Sequence, residues 1–533
     1  MADIAKGVRS FAVGTGLSRI LGLVREQVFA YLFGVGLSSD AFNAAFRIPN
    51  LFRDLFAENA LSNAFVPVLT AARAKGKDEE NRFASNILNT LLLTVGLITI
   101  LGMLFAPGLA RLVGMGFQGI PGKTALTARL TFIMFPFLLF IVLAAWAMSY
   151  LNTENEFFVP AFAPAFFNAF SIAIPIALFG YYFNRGKDPI LGMAIGVMVG
   201  GLVQFLVQVP RLFRRGFVYR RCLNFRDAAF RKAMSLFFPV AIGLSASRIN
   251  VLVNTMLISS IPGGISWLNY AYRIFHLPLG MLGYSVGQVS LPVFSRLVNE
   301  NRFDDLRRSL SDSLRLVLFL TIPTSLLIAV LARPITGVIY EHGVFTAADT
   351  RATAAMLILY MIGVPFVSAL RNVASVFYAC QDARWPMVAS FISVGSNIVL
   401  NLALMRILGP RAFPLSASVA AIVNIGILFV LLPKKIGSFP AGPLFRFTGI
   451  LTLASSVGAG AAWAGSTAIT RFAGSSFFVQ LGSVIVCGLA GLGIFCAACL
   501  LLGLTEARDF ARRLLRRSSR EDSIPPSFGD SAE

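Results

Sequence analysis

A chain of 533 residues that is 56% hydrophobic, only 13% charged and carries 49 Phe is not a string of soluble domains, which average about 45–50% apolar and roughly 25% charged. Long apolar runs recur from end to end, so lipid is the main solvent. Against that stand 46 Lys+Arg and 25 Asp+Glu, a formal charge of +21, on a chain with little watery surface to carry it.

Stretches long enough to cross about 30 Å of hydrocarbon follow in order at 8–34, 40–72, 83–106, 125–152, 160–182, 188–210, 233–259, 264–298, 309–332, 350–380, 386–407, 412–432, 444–469 and 477–504. The first contains Arg19, Arg25 and Glu26 and ends in no small-residue cleavage site, so it reads as a charged membrane helix and not as a signal peptide. The fold class is an all-α polytopic membrane protein of about 14 transmembrane helices. An even number puts both termini on one side, and the positive-inside rule chooses the cytoplasm. That choice gives 28 Lys/Arg to cytoplasmic segments and 8 to the opposite face, Lys123 among them.

Ten arginines remain within spans: Arg19, Arg25, Arg47, Arg53, Arg129, Arg248, Arg273, Arg315, Arg371 and Arg406. Arg129, Arg315 and Arg406 lie near span ends and can snorkel. An arginine at the bilayer centre costs about 3 kcal/mol even on the lenient scale. The deeper ones are therefore expected to line a hydrated, protein-walled cavity.

The chain also repeats itself. Ser18-Arg19-Ile20 recurs as Ser247-Arg248-Ile249, and Ala45-Phe46-Arg47-Ile48 as Ala271-Tyr272-Arg273-Ile274. Pro67-Val68 recurs as Pro292-Val293, and Tyr150 to Glu154 resembles Tyr378 to Asp382. The offsets are 229, 226, 225 and 228. Six spans per copy make the repeats parallel, two six-helix lobes related by a pseudo-two-fold axis, a transporter arrangement. The expected domains are 1–215 (spans one to six), 216–435 (seven to twelve), 436–504 (two extra helices) and 505–533, a basic cytoplasmic tail with a disordered end.

On an ideal helix Asp40, Arg47, Asp54 and Glu58 fall within about 40° of one another, a polar stripe of mixed sign. Arg53 points elsewhere unless Pro49 bends the helix. In the first span Arg19 shares a face with Glu26, and Ser18 with Arg25. Two readings stay open for these groups. They are ion pairs that hold helices together, or a cationic wall whose guanidinium forks suit phosphate oxygens. His276, three residues after Arg273, is either a cavity group that titrates near neutral pH or a structural histidine.

Other patterns carry little. Gly283-Tyr284-Ser285-Val286-Gly287 matches a nucleophile-elbow expression but has no strand before it; small residues at 280, 283 and 287 read better as a close-packing face. No His/Cys/carboxylate spacing suggests a metal site, and no phosphate-cradling glycine loop appears. The five cysteines read as buried thiols. The basic run 211–232 fits topology and anionic headgroups better than nucleic acid.

Residues Ser18-Arg19 through Arg25-Glu26, Asp40-Ala41-Phe42, Arg47-Ile48-Pro49-Asn50-Leu51-Phe52-Arg53, Phe56-Ala57-Glu58 through Pro67, and Ala271-Tyr272-Arg273 through Pro278 resemble the MurJ (MviN) lipid II flippases, within the multidrug/oligosaccharidyl-lipid/polysaccharide exporter superfamily. Phe377 to Asp382 and Leu151 to Phe162 resemble it too. The resemblance implies a non-enzymatic flippase that moves lipid II, the undecaprenyl-diphosphate-linked disaccharide pentapeptide, across the bacterial inner membrane for peptidoglycan synthesis, by alternating access. It implies no cofactor, a membrane potential or ion gradient as driver, membrane lipids and cell-wall synthesis machinery as partners, and spans thirteen and fourteen as a lipid-tail groove. Arg19, Arg25, Arg53 and Arg273 would engage the diphosphate and sugars, with Ser18, Asp40 and Glu58 as further substrate-binding positions. Glu26, Arg47, Asp54 and His276 are left for gating or charge pairing. This chain departs from the family's pattern at Glu26, Asp54, Tyr272 and His276, so no particular coupling ion is carried over. The rivals are an exporter of another lipid-linked oligosaccharide or of drugs on the same fold, a polyprenyl-phosphate enzyme, and a non-transporting scaffold.

Overall fold

The computed structural model describes the backbone of residues 2–56, 60–474 and 476–503, and every regular element among them is a helix. The first run is α1 (Ala2–Phe33), α2 (Leu37–Phe56), α3 (Ala60–Arg73), α4 (Lys77–Leu104), α5 (Ala106–Val113), α6 (Lys123–Met134), α7 (Pro136–Thr153), α8 (Phe158–Phe183), α9 (Ile190–Leu206) and α10 (Val209–Arg214). The second is α11 (Ala228–Ile258), α12 (Gly264–Pro278), α13 (Tyr284–Asn299), α14 (Phe303–Val330), α15 (Ala332–Tyr340), α16 (Ala347–Ala379), α17 (Arg384–Leu408) and α18 (Ala412–Leu431). Then come α19 (Pro433–Ile436), α20 (Ala441–Ala473) and α21 (Phe477–Leu501). Glu58 and the tail expected at 505–533 lie outside the described residues.

Among the described residues nine stretches are long and apolar enough to cross a membrane. One of them, Arg384–Ile436, holds both α17 and α18, so ten of the expected spans have a counterpart. The four without one are 8–34, 40–72, 233–259 and 264–298. Helices stand there too, α1 to α3 and α11 to α13, of which α3, α12 and α13 hold 14, 15 and 16 residues, and α1, α2, α11 and α12 are the ones that carry Arg19, Arg25, Arg47, Arg53, Arg248 and Arg273.

The chain forms two compact units. The first is drawn from Met1–Ala271, Ile339–Met356 and Ser390–Ser416. In it α8 packs closely on α9 along Gly192, Gly196 and Gly200, where a Cβ at Gly200 would come 2.8 Å from the Phe167 carbonyl oxygen. Four-residue spacing of glycines lets two backbones approach, the usual source of helix affinity in lipid. The polar face of α4 binds the segment after α10: Asn81 Oδ1 accepts from Val218 N, Ser85 Oγ from Arg220 N, and Asn86 Oδ1 from Asn224 N. Trp146 and Tyr150 cover it, edge-on to Phe217 at 5.3 and 5.4 Å.

At the start of α4, Lys77 Nζ lies 2.9 Å from Glu80 and 2.7 Å from Glu154, and Arg73 adds a second cation to Glu154 at 3.1 Å. Burial pushes the Glu154 carboxyl up, but the hydrogen bond and charge of Lys77, with Arg73, outweigh it and hold it below the usual carboxylate range. A depressed acid contributes stability above its unfolded pKa and loses it as pH falls through the folded value. Glu154→Gln is expected to cost about 1–2 kcal/mol at neutral pH and to flatten the fall in stability below about pH 4. Thermal unfolding of the purified protein between pH 3 and 7 measures both; parallel curves for the two proteins would remove Glu154 as the titrating group.

The second unit takes Tyr272–Val338, Leu357–Ala389 and Ala417–Glu533. Its core joins Leu310, Leu314 and Val317 of α14 to Val373 and Phe377 of α16, Leu428 of α18, Leu451 of α20 and Phe495 of α21. The last two helices pack on each other where Gly458 meets Gly491, each so close that a Cβ would strike the other's carbonyl oxygen. Of the small residues at 280, 283 and 287, Gly283 faces Ser368 and Gly287 faces Arg371, whereas Gly280 has open space. The close-packing face is thus two residues long, beside a single π turn at Leu279–Gly283. Cys487 and Cys499 are buried, but Cys222, Cys380 and Cys496 are half-buried, which corrects the expectation of five buried thiols.

Candidate functional site

The polar stripe of α2 forms as expected, and most of its partners lie far away in the sequence, from Lys123 to Asn269, all in the first unit. Asp40, with no exposed surface, accepts from four donors: Lys123 Nζ at 2.9 Å and Gly263 N at 2.8 Å on Oδ2, Ser266 N at 3.1 Å and Ser266 Oγ at 2.8 Å on Oδ1. Lys123 is 1% exposed and lies 4.1 Å from the Phe117 ring centroid. Lys123, which the sequence suggests is an exposed loop cation, is buried and paired. It is buried at the start of α6, where the carboxylate of α2 neutralises it. Fully enclosed and bonded at both oxygens, Asp40 ties α2 to α6 and to the turn between α11 and α12, and offers no surface to a ligand in this conformation.

One turn further, Asn43 Nδ2 reaches Ser266 Oγ at 3.5 Å, and two turns further Arg47 Nη2 donates to Asn269 Oδ1 at 2.9 Å. At the end of α2, Asp54 is buried between two arginines. Arg53 donates to its Oδ1 through Nε at 3.1 Å and Nη2 at 2.8 Å, and Arg248 Nη1 of α11 lies 2.8 Å from its Oδ2. Arg53, expected to point away from the stripe, folds back onto its own neighbour. The two guanidiniums stay about a third exposed, at 28% and 32%, while Asp54 is at 4%. Two cations thus share one carboxylate.

On α1, Arg25 Nη2 donates to Glu26 Oε1 at 2.6 Å, and the Arg25 guanidinium sits 5.3 Å from the Phe167 ring centroid. The face-sharing argument pairs Glu26 with Arg19. The structure pairs it with Arg25, because long side chains at successive positions can bend toward each other across the helix. Arg19 is exposed, Ser18 is half-buried, and the Ser18 carbonyl accepts from Asn168 Nδ2 at 3.0 Å.

In the second unit Arg273 is exposed on α12, and His276 is half-buried among rings. The His276 ring stands edge-on to Tyr272 at 4.2 Å and to Phe275 at 5.4 Å, and Phe275 stacks on Tyr360 at 4.9 Å. Sequence reasoning missed Lys123 and underused Arg248. The signal for Lys123 was the four-residue spacing of Lys123, Thr127 and Thr131, a buried polar row on one face of α6. The signal for Arg248 was its place in the repeat of Ser18-Arg19-Ile20. Among the described residues no group of His, Cys, Asp and Glu could hold a metal ion.

The family model described as "Lipid II flippase MurJ" matches residues 29–482. A "Probable lipid II flippase MurJ" of Vibrio cholerae serotype O1 is 35% identical over 503 residues, covering 92% of this chain and 94% of that protein. A solved structure titled "Lipid II flippase MurJ, inward closed conformation" is 30% identical with a TM-score of 0.76, over 92% of this chain and 99% of its own. An inward-facing multidrug resistance MATE family transporter of the MOP superfamily shares the fold alone, at 13% identity and TM-score 0.63, over 79% of this chain and 94% of its own.

Proposed function

The chain belongs to the lipid II flippase MurJ family, whose members are transporters and not enzymes, and from that premise we propose that it moves lipid II from the cytoplasmic to the periplasmic leaflet of a bacterial inner membrane. The observation that carries the reading is the correspondence to a lipid II flippase along nearly the whole chain, in sequence and in fold. The guanidiniums of Arg53 and Arg248 around Asp54, about a third exposed, are of the chemistry that suits the diphosphate of the head group.

The architecture we propose is two parallel six-helix lobes, 1–215 and 216–435, followed by a lipid-tail groove built on α20 and α21 within 436–504. This division differs from the two compact units and rests on recurrence. Lys77–Leu104 returns as Phe303–Val330 and Ala106–Val113 as Ala332–Tyr340, each starting about 226 residues later. Asn155 and Gln381, after corresponding helices and the same distance apart, both take left-handed backbone, φ 58° and 56°. Asp382 also repeats the role of Glu154: its hydrogen bond from Lys435 at 2.6 Å holds its carboxyl below the usual range. Both termini in the cytoplasm remains the orientation we propose, on the bias of Lys and Arg between the two faces.

In this reading Arg19, Arg25, Arg53 and Arg273 take the diphosphate and sugars, Ser18 and Glu58 are further substrate-binding positions, and Asp40 serves as an anchor. The cavity opens to one leaflet and then to the other while the tail stays in lipid. A membrane potential or ion gradient drives the cycle, at about 2.3 kcal/mol per charge per 100 mV. The test is depletion of the protein in its own cell, followed by exposure to a periplasmic lipid II-degrading enzyme. Lipid II is expected to accumulate and to escape degradation. Accumulation of a different lipid-linked saccharide, with lipid II still degraded, would assign the exporter role instead.

A further inference from the structure

We propose that a cleft in the first unit, walled by Lys75, Arg82 and Lys232, is a ligand site separate from the arginines of α1, α2 and α12, and that it takes a phosphate ester. The cleft holds about 250 Å³ and lies where three stretches of chain meet: α3 with the turn after it, the first turns of α4, and the segment 217–227 with the start of α11. All of these belong to the first unit. The inference stands apart from the flippase reading, because its test measures binding at the cleft and not transport.

Charge sets the class of ligand. Three cations line the cleft with two carboxylates, Glu79 and Asp227, and both carboxylates are engaged by near neighbours. Glu79 lies 3.8 Å from Arg82, one turn along α4, and Asp227 Oδ1 accepts from Phe230 N at 2.9 Å as the cap of α11. Among the described residues Lys75 and Lys232 form no ion pair, so their ammonium N–H groups are left for a ligand. Phosphate oxygens point in several directions and suit cations that arrive from separate walls. A carboxylate, with its oxygens in one plane, suits them less well.

Shape sets the rest. The positive-inside rule accounts for Lys and Arg at this end of the helices, but it does not account for a hollow between them. The walls are pinned by hydrogen bonds. Asn86 Nδ2 donates to Asn224 O at 2.9 Å, Asn224 N donates back to Asn86 Oδ1 at 2.8 Å, and Cys222 Sγ donates to Arg82 O at 3.2 Å. Walls fixed in advance reduce the ordering cost of binding. The floor is apolar, from buried Val68 and Ala72 of α3 and Phe83 of α4. The volume is several times the share of one water, roughly 30 Å³, which leaves room over that floor for the organic part of an ester. Such an ester is either a soluble metabolite or a phospholipid head group. Chains of the latter would meet exposed Leu223, next to Cys222, and Leu236, one turn beyond Lys232.

The test uses the purified full-length protein, stripped of phospholipid in detergent. Glycerol 3-phosphate and short-chain phosphatidylglycerol are the probes, followed by calorimetry and by the shift in thermal unfolding. At least one is expected to bind. Lys75→Gln with Lys232→Gln should weaken that binding about tenfold or more. Ala229→Phe, at a half-buried position lining the cleft, fills the hollow without changing charge and should weaken it as much. Lys187→Gln, an exposed lysine outside the cleft, should leave it unchanged. Unfolding without probe shows which variants are folded, and the lysine double variant decides alone if Ala229→Phe is not. Binding of glycerol 3-phosphate assigns a soluble ester and binding of the lipid alone assigns a head group, and either supports the site. Binding of neither probe, cleft variants that bind like the unaltered chain, an equal loss in Lys187→Gln, or acetate binding as tightly as the esters overturns it.

Discussion

Lys123→Ala is expected to remove about 3–5 kcal/mol of stability, since it strands a buried carboxylate beside three remaining donors. That is a large share of a total that is typically about 5–15 kcal/mol, and the yield of folded protein should fall with it. The cause is specific. Asp40 keeps Gly263 N and both Ser266 donors, but none of these carries a full charge. Replacing both partners at once, Asp40→Asn with Lys123→Met, removes the uncompensated ion and should restore most of the loss. Thermal unfolding in detergent, with detergent-soluble yield, measures the set. A single variant as stable as the unaltered chain, within about 0.5 kcal/mol, would show that the pair contributes little. The comparison also settles the character of Asp40: an anchor fails through folding, whereas a substrate ligand fails through transport with the fold intact.

How much of this was legible in the sequence depends on the kind of signal. Apolar length and charge bias identify membrane helices well, because hydrocarbon thickness and the positive-inside rule act on single segments. The signal is weaker at α1, α2, α11 and α12, where arginines interrupt the apolar length. Helical periodicity found the stripe of Asp40, Arg47 and Asp54, since residues seven apart share a face whatever surrounds them. It could not name Lys123, Ser266, Asn269 or Arg248 as partners, which are set by tertiary packing of segments far apart in sequence. It also misplaced Glu26, because the angle between Cβ positions fixes where a side chain starts and not where a long guanidinium ends. A lysine beside a loop glycine reads as a topology marker until a carboxylate on another helix buries it.

Alanine at Arg25, Arg53 or Arg273 is expected to abolish complementation of a flippase-depleted cell while the protein stays folded and inserted, and Arg19→Ala to do the same. A charge-assisted contact to phosphate is worth about 1.5–3 kcal/mol, so each loss lowers affinity by about 10–100-fold. Growth of all four single variants would dismiss the cationic-binding reading. The harder question is whether a failure reports lost substrate contact or a damaged ion pair, and the local geometry separates the two. Arg53→Ala leaves Asp54 with Arg248 at 2.8 Å, so that carboxylate keeps a cation, and a failure with unaltered thermal unfolding points to substrate. Arg25→Ala takes from Glu26 the guanidinium bonded to it at 2.6 Å, so its failure is ambiguous alone. The double variant Arg25→Ala with Glu26→Gln resolves it. If Glu26 left beside an alanine is the defect, neutralising it restores growth; if Arg25 holds the diphosphate, growth stays absent and only a cation restored at position 25 brings it back.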